Sequence, residues 1–306
     1  MSRRTLFLLM GLLILVAGGF YYYEYRARVT AWKPLSERVL QSDSLTWVRG
    51  GDTVRVTKSE GRWIGRCGSD FAAAGERVQG ILSALTQMQC SVSVQPRSSL
   101  IEYGLEPPVT ELWLHFGAGP EGRLRLDLGG RDWNGTGSYL RVGRERTLHV
   151  LPGVWTATVF PAPSELAEKR ILPVEVDSVT TFILTHPPAV WTMTRAGEGW
   201  VLDGRPMGDS TWPGDFLKRL ALYEAREVLF QPLGDSAYGL SPAPWSLRTV
   251  ASSGEWDIIA STSFEGSCYL RVGGHGAVLK ADSQVLKPLL DLDERCGRIS
   301  RGEGKL

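Results

Sequence analysis

The side chains that most often carry enzymatic chemistry show no catalytic spacing in this sequence. The four histidines stand far apart, at His115, His149, His186 and His275. Neither a Gly-x-Ser-x-Gly motif nor a His-Glu-x-x-His motif is present, and those are the patterns that place a nucleophile or a zinc ion. Asp127, Asp132 and Glu265 could meet in space, but their spacing gives no reason to pair them. We therefore predict a protein that is not an enzyme and uses no cofactor or metal.

The cysteines leave the redox state open. None forms a Cys-x-x-Cys pair or lies at metal-ligand spacing from a histidine, and the four are Cys67, Cys90, Cys268 and Cys296. A helix between Cys67 and Cys90 would hold them beyond disulfide reach, because a helix rises about 1.5 Å per residue. Free buried thiols and disulfides remain alternatives.

A glycine-rich loop over residues 129–137 is the best candidate for a contact surface. It does not open a helix after a strand, so it lacks the context of a phosphate-binding loop. It is typical of a hairpin turn, but it is longer than a hairpin requires. Its polar and aromatic residues form the predicted contact loop, which consists of Arg131, Asp132, Trp133 and Asn134. The glycine-rich stretch at 273–276 is predicted to be an ordinary turn.

The eleven tryptophans allow two interpretations. Tryptophan can stack on sugars or peptides, but at alternating strand positions it more often packs within a sheet. Trp63 and Trp200 each follow a turn at matched positions. Packing is the favoured interpretation.

Two motifs that each occur twice organise the chain. Tyr103-Gly104-Leu105-Glu106-Pro107-Pro108 returns as Tyr238-Gly239-Leu240-Ser241-Pro242, with Ala243 inserted before the next proline. Tyr139-Leu140-Arg141-Val142-Gly143 returns as Tyr269-Leu270-Arg271-Val272-Gly273. The same motifs in one order at nearly one spacing indicate a duplication.

The duplicated residues are predicted to be structural. We expect Tyr103 and Tyr238 to be largely buried, with their hydroxyls hydrogen-bonded. The glycine after each tyrosine would permit a turn that a side chain obstructs. Arg141 and Arg271 are expected to bind a strand end or a carboxylate, and a pair of duplicated ligand sites is the alternative.

Strand-like alternation and one apolar helical segment recur in each copy. The predicted order is β-β-β-α-β-β-β-β-α, twice, which indicates an α+β fold built on antiparallel sheets. The first helix is predicted over 72–89, capped by Ser69 or Asp70, and a short helical stretch over 164–170 closes the first copy. The predicted divisions are a membrane anchor with an interfacial segment at 1–30, a first repeat domain at 31–170, and a second repeat domain with a polar tail at 171–306.

The N-terminal segment is predicted to enter a lipid bilayer. Residues 5–23 form an apolar run close to the roughly 20 residues that span a membrane as a helix, and tyrosines follow it where an interfacial belt would lie. A cleaved signal peptide is the alternative. We place the rest of the chain outside the cytoplasmic membrane, in the periplasm of a cell with two membranes.

Charge argues against a nucleic-acid partner. The chain has 34 Lys and Arg residues against 33 Asp and Glu residues, a net charge of +1. Nucleic-acid binding needs a clustered basic surface. We predict no nucleic-acid partner.

The two motifs, the early Gly-x-Trp unit and Lys169-Arg170-Ile171-Leu172 together resemble the bacterial family called domain of unknown function 4340. The resemblance covers roughly residues 1–295. It implies one N-terminal transmembrane helix followed by tandem copies, and an association with ABC-type export systems and gliding-type transporters. It implies no catalytic residues, because the family has no assigned activity.

Three functional hypotheses follow. The first is a membrane-anchored extracytoplasmic accessory protein that binds a membrane-protein partner, an ABC-type complex by resemblance. The second is a module that binds cell-envelope glycan or peptide through tryptophans and the 129–137 loop. The third is a hydrolase with an unrecognised site, which clustered carboxylates or a Ser/His pair in a deep pocket would support.

Overall fold

The computed structural model describes residues 11, 13–21, 32, 35–117, 122–197, 199–207, 211–273 and 275–301. These residues form two compact units. The first unit lies within residues 1–55 and 79–161, and the second unit comprises residues 56–78 and 162–306, apart from the undescribed positions.

The first nine strands form one antiparallel sheet. They are β1 (Ser44–Arg49), β2 (Asp52–Ser59), β3 (Arg62–Cys67), β4 (Ser69–Ala72), β5 (Val92–Val94), β6 (Thr110–His115), β7 (Arg123–Arg131), β8 (Gly137–Val142) and β9 (Leu148–Pro152). Their order across the sheet is β4-β3-β2-β1-β6-β7-β8-β9-β5.

The next nine strands form a second sheet. They are β10 (Val179–His186), β11 (Ala189–Ala196), β12 (Gly199–Leu202), β13 (Arg205–Pro206), β14 (Glu227–Leu229), β15 (Trp245–Ala251), β16 (Gly254–Ala260), β17 (Ser267–Val272) and β18 (Val278–Asp282). Their order is β13-β12-β11-β10-β15-β16-β17-β18-β14.

The two sheets have one topology, because each strand of the second occupies the place of the strand nine positions earlier in the chain. The motif residues follow the same rule. Trp63 lies on β3 and Trp200 on β12, while Arg141 lies on β8 and Arg271 on β17. The predicted α+β class with antiparallel sheets is confirmed. The predicted boundaries at 30 and 170 stay predictions.

Period-two alternation accounts for the longer strands. On β6, Thr110, Leu112 and Leu114 are buried while the residues between them are only half-buried. On β15, Trp245 and Leu247 are buried in the same manner. Alternate side chains of a strand point to opposite faces, so each sheet presents one continuous apolar face to its core.

Five α-helices accompany the sheets among the described residues of 35–301. They are α1 (Gly75–Gln87), α2 (Gly153–Val159), α3 (Pro163–Leu166), α4 (Trp212–Ala221) and α5 (Leu286–Ser300). Helix α1 buries Val78, Ile81, Leu82 and Leu85 at three- and four-residue steps, the spacing of one helix face. Helix α4 begins with Trp212 and Pro213, and proline is tolerated in the first turn.

Three details of the sequence prediction were wrong. The predicted order omits two short strands in each copy, namely β4, β5, β13 and β14, which have too few residues to show alternation. Ser69 and Asp70 lie in β4 rather than capping a helix, and α1 begins at Gly75. The stretch predicted as helical over 164–170 contains only the end of α3, and α2 precedes it.

Part of the predicted anchor lies outside the described residues, namely residues 5–10, 12, 22 and 23. Residues 13–21 are helical. Among the described residues, no helix has the length and apolarity needed to cross a bilayer.

The core of the second sheet gives a direct test of the fold. Phe182 is fully buried, and its ring lies 5.3 Å from the Trp200 ring and 5.6 Å from the Phe216 ring, between centroids. We predict that Phe182→Ala lowers the free energy of unfolding by about 3–5 kcal/mol, because it removes buried apolar surface and leaves a cavity. Urea titration followed by circular dichroism measures the change.

The matched control is Val190→Ala on β11, where the side chain is 54% exposed. That variant should change the free energy of unfolding by no more than about 0.5 kcal/mol. Equal stability of the two variants would contradict the assigned core.

Candidate functional site

The repeated tyrosine motif forms the same local structure in both copies. Tyr103 ends a short 3-10 helix, Leu100–Tyr103, and Gly104 follows in the left-handed conformation with φ of 64°. The ring of Tyr103 meets the ring of Tyr139 edge-on at 5.0 Å between centroids. Its hydroxyl accepts a hydrogen bond from the Arg97 backbone N–H at 3.3 Å.

The second copy reproduces each of these contacts. Tyr238 ends the 3-10 helix Asp235–Tyr238, and Gly239 has φ of 67°. The Tyr238 ring lies 4.9 Å from the Tyr269 ring, and its hydroxyl accepts a hydrogen bond from the Leu233 N–H at 3.2 Å. The predicted turn at the glycine and the predicted hydrogen-bonded hydroxyl are confirmed in both copies, and the turn glycine is left-handed in each.

The predicted burial of the two tyrosines was wrong, because Tyr103 and Tyr238 are both only half-buried. The residue that enters the core is the leucine two positions later, since Leu105 is 1% exposed and Leu240 is 4% exposed. Each tyrosine packs on the surface of its sheet and stabilises the turn that places this leucine in the core.

Close approach of two backbones explains the glycines of the first copy. A Cβ on Gly104 would lie 2.6 Å from the backbone nitrogen of Gly130, closer than real Cβ contacts. Gly104 therefore needs to be glycine for its left-handed φ and for its contact with β7. Pro107, Pro108 and Pro242 lie just before β6 and β15, where the Glu106–Pro107 and Ser241–Pro242 peptide bonds are both cis.

The two motif arginines bind carboxylates, as predicted, but the carboxylates come from different elements. In the first unit Arg141 Nη2 lies 2.6 Å from Asp127, whose side chain is fully buried. Asp127 also accepts from Arg125 Nε at 2.5 Å. In the second unit Arg271 Nη2 lies 2.6 Å from Asp235, which is 38% exposed. Both arginines therefore have a structural role.

The cross-strand register explains why the two arginines bind aspartates from different elements. Asp127 stands directly opposite Arg141 on the neighbouring strand, whereas Ile259 stands opposite Arg271. An arginine side chain is long enough to turn to Asp235 instead, at the start of the 3-10 helix that contains Tyr238.

The contact loop is an ordered turn with one exposed tryptophan. Asp132 is 7% exposed, and its carboxylate accepts hydrogen bonds from the Gly137 N–H at 2.8 Å and from the Thr136 hydroxyl at 3.3 Å. Trp133 is 85% exposed, and Arg131 and Asn134 are exposed beside it. The loop thus places a large aromatic surface in solvent on a fixed backbone.

Two of the three carboxylates considered in the sequence have different partners, and the third lies in another turn. Asp127 binds Arg125 and Arg141, and Asp132 closes its own turn. Glu265 lies in the turn after β16, with φ of 49°. No group of three or more His, Cys, Asp or Glu side chains in the described part of the chain could hold a metal ion.

One Ser/His contact occurs on the edge of the first sheet. The Ser93 hydroxyl lies 2.9 Å from His149 Nδ1, and His149 Nε2 lies 3.5 Å from Glu145. Ser93 and His149 are direct partners across β5 and β9, so strand register alone accounts for their contact. The contact therefore gives little support to a hydrolase.

No disulfide joins the four cysteines, all of which lie in the described residues. Burial raises the pKa of Cys90 to about 12. Burial also raises the pKa of Cys268 and of Cys296 to about 12, with nearby aspartates adding to the effect. These three thiols remain protonated at neutral pH and are poor nucleophiles.

The second unit contains a cleft that the sequence prediction missed. Its volume is about 540 Å³, and its walls are the β2–β3 turn, the β15–β16 turn and the loop after β17. The residues that define this cleft are Arg62, Trp63, Glu168, Trp256 and His275. Trp63 is buried and Trp256 is half-buried.

Arg62 joins two of the walls. Its guanidinium lies 5.4 Å from the centroid of the Trp256 ring, and it donates a hydrogen bond to the Ser253 carbonyl. Gly273, with φ of 65°, allows the Trp256 ring to lie against the loop after β17. A usable signal was present in the sequence, because Gly61-Arg62-Trp63 and Gly254-Glu255-Trp256 each place a tryptophan two residues after a turn glycine.

Two ionisable groups of the cleft have pKa values that the protein shifts. Burial alone would raise the pKa of Glu168, but the hydrogen bonds from Arg170 outweigh it and keep that pKa below its ordinary value. Burial lowers the pKa of His275, against a smaller opposing effect of Asp70. At neutral pH Glu168 is therefore ionised and His275 is uncharged.

A family comparison covers more than half of the chain. A family model described as a domain of unknown function, DUF4340, matches residues 67–243. That range contains the tyrosine motifs of both copies. No curated protein matches the chain.

The two arginines provide a matched pair for a stability test. We predict that Arg141→Gln lowers the free energy of unfolding by about 2–4 kcal/mol, because it removes one of two cations from a fully buried carboxylate. Arg271→Gln should cost about 1 kcal/mol or less, since solvent reaches Asp235. Urea titration measures the free energy of unfolding of both variants. Equal losses would contradict the stabilising role that we assign to the Arg141 pair with buried Asp127.

Proposed function

The chain belongs to the DUF4340 family of domains of unknown function, and we propose that it acts as a membrane-anchored extracytoplasmic protein that binds a membrane-protein partner. The observation that carries this proposal is the 85% exposure of Trp133 on a turn fixed by Asp132. Exposed aromatic side chains are favoured anchors of protein interfaces, and a rigid turn reduces the entropy that binding would cost.

The loop has the composition of an interface centre. Trp133 supplies apolar area, while Arg131 and Asn134 supply hydrogen-bonding groups around it. Tryptophan and arginine are the residue types most enriched at binding hot spots. We infer that the partner presents an apolar pocket to Trp133, with polar groups at its rim.

A membrane partner is inferred from the N-terminal segment. Residues 5–23 are long enough to act as a membrane anchor. Leu13, Ile14 and Leu15 in the described part of this run are 71%, 65% and 75% exposed. Exposed apolar side chains in a row require another apolar phase to cover them, and a bilayer is the phase we propose. By resemblance, the partner is an ABC-type complex.

Contact-loop binding can be tested by site-specific photocrosslinking in membranes. A photoreactive phenylalanine analogue at position 133 should crosslink to an integral membrane protein, identified by mass spectrometry. The same analogue at position 222 is the control, because Leu222 is also highly exposed, at 83%, but lies far from the loop in sequence. An adduct from position 222 but none from position 133 would refute the assignment of the loop.

A substitution measures the strength of this contact. Trp133→Ala should reduce recovery of the membrane partner in mild detergent by at least about tenfold, the loss expected from a tryptophan hot spot of about 1.4 kcal/mol or more. The thermal unfolding midpoint should be unchanged, because the side chain is exposed. Undiminished recovery of the partner would count against the proposal.

The anchor and its orientation predict a separate result. Alkaline phosphatase fused after residue 306 should be active, and a reporter that works only in the cytoplasm should be silent. Carbonate-washed membranes should retain the chain. Release of a soluble, shortened chain would mean that residues 5–23 are a cleaved signal peptide.

A further inference from the structure

The cleft defined by Arg62, Trp63, Glu168, Trp256 and His275 shares no residue with the contact loop. Its volume of about 540 Å³ lies in the range of small-molecule sites, roughly 300–1,000 Å³. Such sites combine aromatic walls with a few polar groups that orient the ligand. The two tryptophans provide the aromatic surface, and the three polar side chains provide the orienting groups.

The charges of the cleft nearly cancel. Glu168 is paired with Arg170 at 2.8 Å, and Glu255 on the rim accepts from Arg248 Nε at 3.1 Å. That leaves Glu60 and Arg62, one negative and one positive side chain on the same turn. A cleft without net charge gives no electrostatic preference to a phosphate or to a cationic peptide.

The polar groups suit a ligand that both donates and accepts hydrogen bonds. The indole N–H of Trp256 is buried and adds no donor to the surface of the cleft. Arg62 offers donors, and the ion-paired carboxylate of Glu168 retains lone pairs that can accept. Uncharged His275 offers one donor and one acceptor.

We propose that this cleft binds an uncharged saccharide. A sugar ring has an apolar face of C–H groups, which packs on an indole, and a rim of hydroxyls that donate and accept hydrogen bonds. Trp256 provides the stacking surface, Trp63 forms the floor, and Arg62, Glu168 and His275 bind hydroxyls. The site adds a ligand to the proposed partner-binding role and does not depend on it.

The position of the cleft supports a preformed site. Two of its walls are hairpin turns, and the hydrogen bond from Arg62 to the Ser253 carbonyl ties one turn to the other. Elsewhere in the second unit, the N–H of Ser69 on β4 donates to the carbonyl of Phe230 at 3.0 Å, and the Phe71 and Phe230 rings lie 4.9 Å apart. The contact of Arg62 with Ser253 is the one that joins two walls of the cleft.

Isothermal titration of the purified full chain in detergent tests the proposal. The probes are neutral tetrasaccharides of glucose, N-acetylglucosamine, galactose and mannose, together with a neutral hexapeptide of glycine, serine and asparagine. At least one tetrasaccharide should bind with a Kd of about 1 mM or tighter. Binding of the peptide alone, or of no probe at that concentration, would overturn the proposal.

Substitutions then assign the binding to the cleft. Trp256→Ala should weaken saccharide binding by about tenfold or more, and Trp256→Phe should recover part of the loss because it keeps an aromatic face. Arg62→Ala should weaken binding by about threefold, because it removes hydrogen-bond donors and the contact that joins the two turns. Arg62 is exposed, so we expect the variant to fold. Thermal unfolding midpoints establish that each variant is folded.

Trp133→Ala separates this proposal from the partner-binding one. That variant should bind the saccharide as tightly as the unsubstituted chain while losing its membrane partner. Trp256→Ala should show the reverse pattern. Saccharide binding that survives both Trp256→Ala and Arg62→Ala would place the sugar elsewhere and refute the assignment to the cleft.

Discussion

The pairing of the first strand of each copy with its sixth strand is the contact on which the rest of the fold depends. β1 pairs with β6, with Leu45 opposite Leu114 and Trp47 opposite Leu112. In the second copy β10 pairs with β15, with Leu184 opposite Leu247. This central pair joins the early hairpin strands to the later ones, and it brings together residues such as Leu45 and Leu114, 69 positions apart, and Leu184 and Leu247, 63 positions apart. The entropy of closing such a loop is offset by burial, since Leu45, Leu112 and Leu114 are all fully buried.

The repeated tyrosine motif lies at the entrance to this central pair, which explains why it recurs. Tyr103 and Gly104 turn the chain a few residues before β6, and Leu105 enters the core at that turn. Burial of this leucine fixes the position from which β6 begins and so favours its pairing with β1. The motif is therefore a folding and positioning element of the sheet, and its conservation between the copies needs no ligand to explain it.

Sequence patterns that extend over many residues were sufficient to predict the main architecture. Very short strands and contacts between distant residues could not be predicted in this way. Alternation over five or more residues identified strands such as β6 and β15. The two-residue β13 and the three-residue β5 become strands only because a neighbouring strand offers hydrogen bonds. The role of Arg141 was predictable from its recurrence, but its partner was not. Asp127 is selected by strand register, and in the second copy Ile259 holds that position.

Burial of the tyrosines was overestimated for a related reason. A tyrosine followed by glycine and leucine indicates a packed turn, but it does not say which of the residues enters the core. The structure gives the core position to the smaller leucine and leaves the ring of Tyr103 against Tyr139 on the surface. The sequence patterns did not predict the cleft, because its residues come from turns that are far apart in the sequence. Gly61-Arg62-Trp63 and Gly254-Glu255-Trp256 each place a tryptophan near a turn, but this pattern does not indicate that the two turns line one cleft.

The placement of both proposed binding surfaces at turns follows from the chemistry of the sheets. One face of each sheet is apolar and buried. On the other face of the first sheet, Glu111, Arg125, Asp127 and Arg141 bind one another across β6, β7 and β8, so their bonding capacity is used within the protein. These strand residues therefore stabilise the sheet and are not available to bind a ligand. Turn residues make fewer such contacts, and a side chain there can change without altering the strand register.

The duplication allows further variation at turns, because the two copies keep one topology while their turns differ in sequence. The first copy has placed Trp133 on its β7–β8 turn, and the corresponding turn of the second copy has Glu265 and Gly266 instead.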